Sequence, residues 1–390
     1  MTTLDERPVT TPTTEKRSVW SRLYRGETTF DFIRNRKVGF IISGVILLAS
    51  VISLSTRGLN LGIDFKGGVA WEFPANGVST NDVHNILSSF GLDKDVKVQT
   101  LRNGSETKIR AQVGPEGEAK QNEVQQAFAK AAKVGVGDVN LTSVGPSWGK
   151  EISSKARTAL IVFFVAFVIY ISLRFEWKMA LAALVAMVHD VAISVGVYSI
   201  FGFEVTPATV IAFLTILGYS LYDTIVVFDR IDDNTKKLSN GKVTFSDIVN
   251  LSMNQTLMRS LNTSLAAVLP VLSLLIVGSI MFGAIALQDF SLALLVGLIT
   301  GAYSSIFIAS PLLGMLKERE RRWQVIRERL GGTTAPVADV RAVATGLAAT
   351  ARPARSPVTA TGTSDPGALV PTGPVPGYSH PPRPRKKGRR

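Results

Sequence analysis

The chain has 390 residues, of which 46% are hydrophobic and 19% are charged, and its formal net charge is +13. A soluble globular protein carries about 25% charged residues, so this deficit favours a membrane protein. The absence of cysteine excludes disulfide frameworks, iron–sulfur clusters and thiolate zinc sites, and the three histidines lie in unrelated regions. Because no Walker-type phosphate loop is present either, we expect neither a metal, nor a cofactor, nor ATP-driven chemistry.

Six segments are apolar enough to cross roughly 30 Å of hydrocarbon as helices of about 20 residues. They cover residues 38–54, 156–173, 179–201, 209–228, 253–277 and 290–313. The first follows a long polar segment and is expected to be an uncleaved anchor. The predicted organisation is an N-terminal segment (1–37), a first span (38–55), an external domain (56–155) and five further spans (156–313).

Lys and Arg residues in the short loops predict the orientation of the spans. The N-terminal segment 1–37 carries eight, the loop 174–178 carries two and the loop 230–242 carries four. The loops on the opposite side, 202–208 and 282–289, carry none. Because basic loops stay in the cytoplasm, we expect both termini there and the long segment between the first two spans outside.

The external segment predicts a small α+β domain. Strands are predicted over 69–73, 95–101, 106–113 and 138–144, with a hairpin turn at Asn103-Gly104. One helix is expected to begin at Ser79 or Thr80 and to end before Gly91, and a second to cover 116–134 after Pro115. The order β-α-β-β-α-β is that of a ferredoxin-like domain. Such domains usually bind or transmit force, so the chain is not expected to be an enzyme.

Two ionisable residues inside neighbouring spans are candidates for function, because such residues are expensive in a membrane. Asp223 lies seven residues, about 10 Å, inside the cytoplasmic end of its span, and Arg259 lies at a similar depth in the next. Because the two residues lie at equal depth, we expect the Asp223 carboxylate and the Arg259 guanidinium to meet. The pair is a candidate proton relay, in which protonation of Asp223 releases Arg259. A static salt bridge that fixes helix register, or an Arg259 that extends to the interface, would explain the same residues.

His189 and Asp190 lie near the centre of the third span. Adjacent helical residues diverge by about 100°, so the two cannot share one partner on one face. We expect one or both to face the bundle interior as a hydrogen-bonded pair that ties this span to its neighbours. A proton-carrying role for Asp190 is the alternative.

Four motifs occur in order along residues 25–322. They contain Asp64, Phe65, Gly67 and Gly68; Gly145 and Pro146; His189 and Asp190; and Gly218, Tyr219, Asp223, Asp229, Arg230 and Asn234. This pattern resembles the SecF family of the resistance–nodulation–division superfamily. The resemblance implies a polytopic α-helical membrane protein of six transmembrane helices, one half of the superfamily's arrangement. An extracytoplasmic α+β ferredoxin-like domain would lie between helices 1 and 2, and the location would be the bacterial plasma (inner) membrane.

The resemblance also implies a function and partners. Members of the family act with SecD beside the SecYEG channel and use the proton motive force to promote export of unfolded polypeptides. By resemblance, Asp223 and Arg259 match the family's intramembrane acid and its basic partner. Possible supporting polar residues are His189, Asp190, Tyr222, Thr224, Asn254 and Gln255. The family commonly has Asn where this chain has Tyr222, so the proton path is expected to be arranged differently.

Two other functions fit the same spans. A small-molecule or lipid exporter of the superfamily would usually need two six-span halves and larger external domains. A purely structural anchor of the translocon would need no proton movement. Loss of export on neutralising Asp223 would separate the proton-driven subunit from the anchor.

The C-terminal end carries most of the net charge. Residues 317–390 contain 15 Lys and Arg against 5 Asp and Glu. A basic cytoplasmic helix is predicted over 314–330, followed by a disordered tail over 331–390, where 10 Pro and 8 Gly argue against a packed core. The basic cluster at 383–390 could contact anionic lipid or ribosomal RNA, or the tail could stay solvated and unbound.

Overall fold

The computed structural model describes residues 28–103, 106–238, 241–281, 284–332 and 334–345. Most of the predicted N-terminal segment therefore lies outside the described residues. The same holds for most of the predicted tail, including its terminal basic cluster.

The chain enters the membrane as α1 (Arg36–Thr56), whose buried face carries small residues such as Ser43 and Ser50. Close packing explains their size, because Ser50 lies directly against Gly196 of a later span. A short strand, β1 (Asn60–Leu61), and a single helical turn, α2 (Ile63–Lys66), then lead into the external domain.

The external domain has the predicted ferredoxin-like order. It consists of β2 (Gly68–Pro74), α3 (Thr80–Ser89), β3 (Lys97–Asn103), β4 (Glu106–Val113), α4 (Gln121–Ala132) and β5 (Asn140–Val144). The strands form one antiparallel sheet in the order β3-β4-β2-β5. The predicted helix 116–134 is shorter in the structure. Its first turn is a 3-10 helix, Pro115–Lys120, and Lys133 ends it in the left-handed conformation at φ 55°.

Aromatic packing holds the helices of this domain on its sheet. The ring of Phe128 on α4 stacks on Phe73 at 4.8 Å and meets the edge of Trp71 at 5.7 Å. The hydroxyl of Ser79 accepts a hydrogen bond from the backbone N–H of Asp82 and so caps α3, as the sequence predicts. The Asp82 carboxylate accepts from Ser79 in return, which lowers the pKa of Asp82.

The remaining chain forms a helical bundle. It contains α5 (Pro146–Arg174), α6 (Trp177–Phe201), the strand β6 (Glu204–Val205), α7 (Pro207–Leu238), α8 (Phe245–Ser273), α9 (Ile285–Ser304) and α10 (Ser310–Glu318). A π-helical segment, Leu274–Met281, follows α8, and another, Ser305–Ala309, joins α9 to α10. With α1, the described chain has six helices long and apolar enough to cross a membrane, which confirms the predicted fold class.

Burial separates the central spans from the peripheral ones. In the most apolar stretch of each span, the share of buried residues is 50% in α6 and 56% in the sixth span, which α9 and α10 form together. These helices therefore form the centre of the bundle. The corresponding shares are 11% for α5 and 6% for α8, so both present most of their apolar surface outward.

The segment after the sixth span differs from its prediction in two ways. The predicted basic helix 314–330 is broken, because α10 ends at Glu318 and a separate helix, α11 (Arg321–Arg329), follows. A further helix, α12 (Val337–Ala344), lies inside the stretch that was predicted to be disordered, so that prediction is wrong for this helix. Its Val337 and Val340 are buried against the bundle. The Pro and Gly content averaged over 331–390 concealed this short apolar segment.

Glycines allow the external domain to meet the start of α5. Gly67 and Gly68 have φ angles of 80° and 145°, which favour glycine. A Cβ at Gly68 would lie 2.3 Å from the carbonyl oxygen of Val113, and one at Gly149 would lie 2.7 Å from that of Phe65. The first and second sequence motifs therefore meet in space at this contact.

A lysine adds a polar contact at the same junction. Lys97 Nζ donates to the carbonyl oxygen of Leu61 at 3.1 Å. Burial of the ammonium group lowers the pKa of Lys97, although Glu204 opposes that shift. The sheet of the external domain is thus attached to the connector that leaves α1.

We predict that Gly149→Ala loosens this junction. The added methyl would meet the Phe65 backbone, and overpacking of this kind typically costs about 1–3 kcal/mol. A lower unfolding temperature in detergent and faster proteolysis between α2 and α5 are the expected results. Gly145→Ala is the matched control, because the nearest side-chain atom to its Cβ would be 4.0 Å away. Equal stability of the two variants would contradict the prediction.

Candidate functional site

Asp223 lies on α7 with its carboxyl group buried in the bundle and 8% of the residue exposed. Ser260 of α8 donates a hydrogen bond to Asp223 Oδ1 at 2.5 Å. The other oxygen, Oδ2, is buried and has no hydrogen-bond partner among the described residues. A buried carboxylate oxygen without a donor costs free energy, and protonation removes much of that cost. The geometry therefore suits a carboxyl group that takes up and releases a proton.

The predicted direct contact between Asp223 and Arg259 is absent, because the side chains of these two described residues form no ion pair with each other. Arg259 Nη2 instead donates to the hydroxyl of Tyr222 at 3.1 Å. The neighbouring Ser260 occupies the position facing the carboxyl group. Successive side chains on a helix point about 100° apart, so Arg259 and Ser260 cannot both face Asp223. Tyr222 thus holds the guanidinium beside the acid, and the static salt bridge that was the alternative to a relay is not formed between Asp223 and Arg259.

A small cavity lies beside Asp223. Its lining includes Ser220, Tyr222, Asp223, Thr263, Gly297 and Gly301. The volume of the cavity is about 30 Å³, which is enough to admit water. Tyr219 and Tyr222 at its edge are 49% and 48% exposed, so the cavity opens on an outward face of α7 and α8. Water in this cavity would give the carboxyl group a route for proton exchange.

His189 and Asp190 form a second polar cluster, at the centre of α6. The imidazole Nδ1 lies 3.0 Å from Asp190 Oδ1, and Nε2 lies 3.0 Å from the hydroxyl of Ser43 on α1. Asp190 Oδ2 accepts from Ser220 of α7 at 2.5 Å and from Ser304 of α9 at 2.8 Å. Both residues face the interior with different outside partners, as the sequence predicts, and the pair ties α6 to three other helices.

The remaining supporting candidates divide between the bundle interior and the end of the bundle away from the external domain. The hydroxyl of Thr224 lies 2.9 Å from that of Ser305, next to the polar cluster. Asn254 is not at the site, because its amide donates to the carbonyl oxygen of Phe30 and accepts from the Phe30 N–H. It anchors the segment that precedes α1.

Gln255 also lies away from Asp223. Its Oε1 accepts from Arg230 Nε at 2.7 Å and from Asn234 Nδ2 at 2.9 Å. Asp229 pairs with Arg174 at 2.6 Å. These residues hold the C-terminal ends of α5 and α7 and the N-terminal part of α8 together. Neither Asn254 nor Gln255 therefore bonds Asp223 or Arg259 in the structure, since both precede Ser260 by more than one helical turn.

Sequence reasoning missed the hydroxyl groups of the site. Ser220, Ser260 and Ser304 donate to the two buried acids, and Ser43 contacts the imidazole of His189. Serine in an apolar helix commonly bonds its own backbone instead, so its presence alone carries little information. The available signal is position: Ser260 follows Arg259 directly, and Ser220 precedes Asp223 by about one turn.

Comparison with known proteins places the chain in a family. The model of the SecD/SecF protein export membrane protein, C-terminal, matches residues 123–319, and that of the SecD/SecF GG motif matches residues 52–69. The protein translocase subunit SecF of Streptomyces coelicolor is 43% identical over 311 residues, which are 80% of this chain and 83% of that one. The SecF of Mycobacterium tuberculosis strain H37Rv is 39% identical over 322 residues, 77% of this chain and 70% of that one.

The fold leads to the same group. The crystal structure of SecDF, a translocon-associated membrane protein from Thermus, matches with a TM-score of 0.67 and 32% identity. The match covers 75% of this chain and 39% of that one, so this chain spans less than half of the SecDF protein. The relatives are named as translocase subunits, which indicates a transport role and not an enzymatic one. The chain therefore belongs to the SecF family of protein translocase subunits, as a multi-pass membrane protein.

Proposed function

We propose that this protein uses the proton motive force to promote export of unfolded secretory polypeptides, together with a SecD-like subunit and the SecYEG channel. Its place would be the bacterial plasma membrane, with both termini in the cytoplasm. The observation that carries the proposal is Asp223, a buried carboxyl group with one unpartnered oxygen beside an outward-opening cavity. The basic C-terminal cluster would add a contact with anionic lipid or ribosomal RNA on the cytoplasmic side.

Proton uptake by Asp223 would change the contact between α7 and α8. When the acid is ionised, Ser260 donates to it and its negative charge attracts the nearby Arg259 guanidinium. Protonation makes the carboxyl group neutral, so it no longer attracts the guanidinium that Tyr222 holds. Arg259 is then free of the attraction, and the packing of the two helices can change.

A short parallel ladder would carry such a change toward the external domain. β6 immediately precedes α7, the helix of Asp223, and pairs with β1 of the connector that leaves α1. The N–H of Gly62 continues the ladder with a hydrogen bond to the carbonyl oxygen of Val205 at 2.9 Å. Movement of the outer end of α7 is therefore transmitted through backbone hydrogen bonds to the base of the domain.

The outward face of α7 and α8 would bind the SecD-like subunit. Arg259, Tyr219 and Tyr222 are exposed there within the membrane-spanning segments, although a charged side chain is costly against lipid. A Cβ at Gly218 would meet no atom within 4 Å, so this position leaves room for a neighbouring helix. A second subunit on this face would enclose the cavity beside Asp223.

We predict that Leu265→Cys, labelled with a thiol-reactive photo-activatable cross-linker, cross-links to the SecD-like subunit in membranes. Leu265 is 58% exposed on α8, and the chain has no cysteine of its own to compete. Val162→Cys on α5, 60% exposed, is the matched control and should give little cross-linked product. Cross-linking of Val162→Cys alone would place the partner on the wrong face for this proposal.

We predict that Asp223→Asn abolishes proton-dependent stimulation of export while the protein level stays normal. The amide keeps the size of the carboxyl group but cannot exchange a proton. Export of a secretory precursor is measured in cells and in vesicles with an imposed proton gradient. Asp232→Asn is the control, because that acid lies on the same helix in a surface pair with Lys236. Full activity of Asp223→Asn would favour the structural-anchor role instead.

Tyr222→Phe tests whether the phenol holds Arg259 in place. Loss of the hydroxyl removes the acceptor of the 3.1 Å hydrogen bond, so we expect a partial loss of stimulation. Tyr219→Phe serves as the control, since Tyr219 lines the same cavity without a recorded bond to Arg259. If both variants match the wild type, the tyrosine hydroxyl has no part in positioning the guanidinium.

A further inference from the structure

A chain of hydrogen bonds runs from Asp190 through His189 to the backbone of α1. His189 contacts Asp190 through Nδ1 and Ser43 through Nε2, both at 3.0 Å. Ser43 lies 3.1 Å from the hydroxyl of Tyr303, and Tyr303 lies 2.8 Å from the carbonyl oxygen of Gly39. Every contact in the chain joins two groups whose donor capacity is known. The hydrogens can therefore be counted from its end.

The count begins at Gly39, because a backbone carbonyl oxygen only accepts. Tyr303 must donate its single hydrogen to that oxygen, so it accepts from Ser43. Ser43 then has no second hydrogen to offer and must accept from His189. The imidazole Nε2 consequently carries a hydrogen.

The contact between His189 and Asp190 needs one further hydrogen. If it lies on Nδ1, the imidazole is a cation beside an ionised carboxylate. If it lies on Oδ1, a neutral imidazole accepts from a protonated carboxyl group. In both arrangements the pair holds one proton more than neutral histidine with ionised aspartate, and its net charge is zero.

Burial points independently to a neutral pair. His189 and Asp190 are 6% and 1% exposed in the centre of a membrane-spanning helix, where a net negative charge would be costly. The groups that contact the pair from the packed helices are Ser43 of α1, Ser220 of α7 and Ser304 of α9. Tyr303 is the next titratable group along the chain of hydrogen bonds. Among the described residues, no basic side chain from outside contacts the His189–Asp190 pair.

We propose that His189 and Asp190 form a second proton-binding site of the bundle, occupied by one proton as a neutral pair. Loss of that proton would break the chain at one point. If Nε2 kept its hydrogen, the unprotonated Nδ1 would face a carboxylate with no hydrogen between them. If Nδ1 kept the hydrogen instead, the unprotonated Nε2 would need the hydrogen that Ser43 donates to Tyr303. Occupancy of the site is thereby coupled to the contact between α1 and α9.

The location of the pair relates it to the proposed relay. Ser220 donates to Asp190 and also lines the cavity beside Asp223. The assignment of the proton itself rests on the hydrogen-bond chain and not on the export function. Failure of Asp223→Asn to affect export would therefore leave this site standing, and its own test is spectroscopic.

The test is nitrogen NMR of histidine-labelled full-length protein in lipid, combined with infrared spectroscopy of the carboxyl band. The chain has three histidines, so His84→Gln and His380→Gln leave His189 as the single signal. We expect either an imidazolium, or a neutral imidazole protonated at Nε2 together with a carboxylic acid band that Asp190→Asn removes. A neutral imidazole beside an ionised Asp190 carboxylate, whichever ring nitrogen carries the hydrogen, would overturn the proposal.

Two variants separate the proton assignment from a merely structural role. Asp190→Asn mimics the protonated acid, so it should keep a normal protein level and fix His189 as the Nε2-protonated neutral form. An Nδ1-protonated form in this variant would contradict the donor count. Tyr303→Phe removes the constraint on Ser43 and should let the Nδ1-protonated form appear. An unchanged spectrum in Tyr303→Phe would show that the chain does not set the protonation of His189.

Discussion

Hydrocarbon provides no hydrogen-bond partner, so each polar side chain in the bundle must find one inside the protein or remain unsatisfied. This constraint organises the centre of the molecule. Asp190 is satisfied from three directions, whereas Asp223 is satisfied at only one of its two oxygens. Two acids in one bundle are thus placed in contrasting environments, one fully enclosed and one beside a cavity. The contrast is the basis for proposing proton exchange with water at Asp223, whereas Asp190 is bonded within the bundle.

Serine is the residue that makes both environments possible. A hydroxyl group is small enough for close helix packing and can both donate and accept. Ser220 shows the consequence, because its hydroxyl bonds Asp190 while its Cβ faces Gly301 of α9, where an added Cβ would be only 2.9 Å away. The glycine permits the close approach of α7 and α9, and the approach brings the hydroxyl to the acid. Packing and polar satisfaction therefore depend on the same helix contact.

The external domain and the bundle are joined by backbone contacts. The β1–β6 ladder and the glycine contacts around Gly68 and Gly149 place carbonyl oxygens and N–H groups against each other. Backbone contacts of this kind transmit displacement more faithfully than long side chains, which can change rotamer. A protein proposed to couple proton movement in the membrane to work outside needs such a junction. On the same proposal, the exposed Arg259, Tyr219 and Tyr222 on α7 and α8 are covered by a neighbouring subunit.

The sequence by itself determined the number of spans, the order of elements in the external domain, and the ionisable residues inside the spans on which the proposed function rests. These features follow from local patterns: runs of apolar residues, period-two alternation, turn residues and charges inside apolar segments. Asp223, Arg259, His189 and Asp190 stood out because ionisable groups are rare in hydrocarbon. The helix α12 was missed because composition over a long window hides one short apolar face.

Only the tertiary structure decided which groups those residues contact. Equal depth on neighbouring spans suggested that Arg259 meets Asp223, but the rotation of α8 about its axis turns Ser260 toward the acid and Arg259 toward Tyr222. Rotation is set by the packing of all the helices together, and no spacing along one segment encodes it. The same holds for the serines around Asp190, which come from helices far apart in sequence. The depth of a residue in the membrane can be counted from the sequence, whereas the rotation of each helix about its axis depends on the helices packed against it.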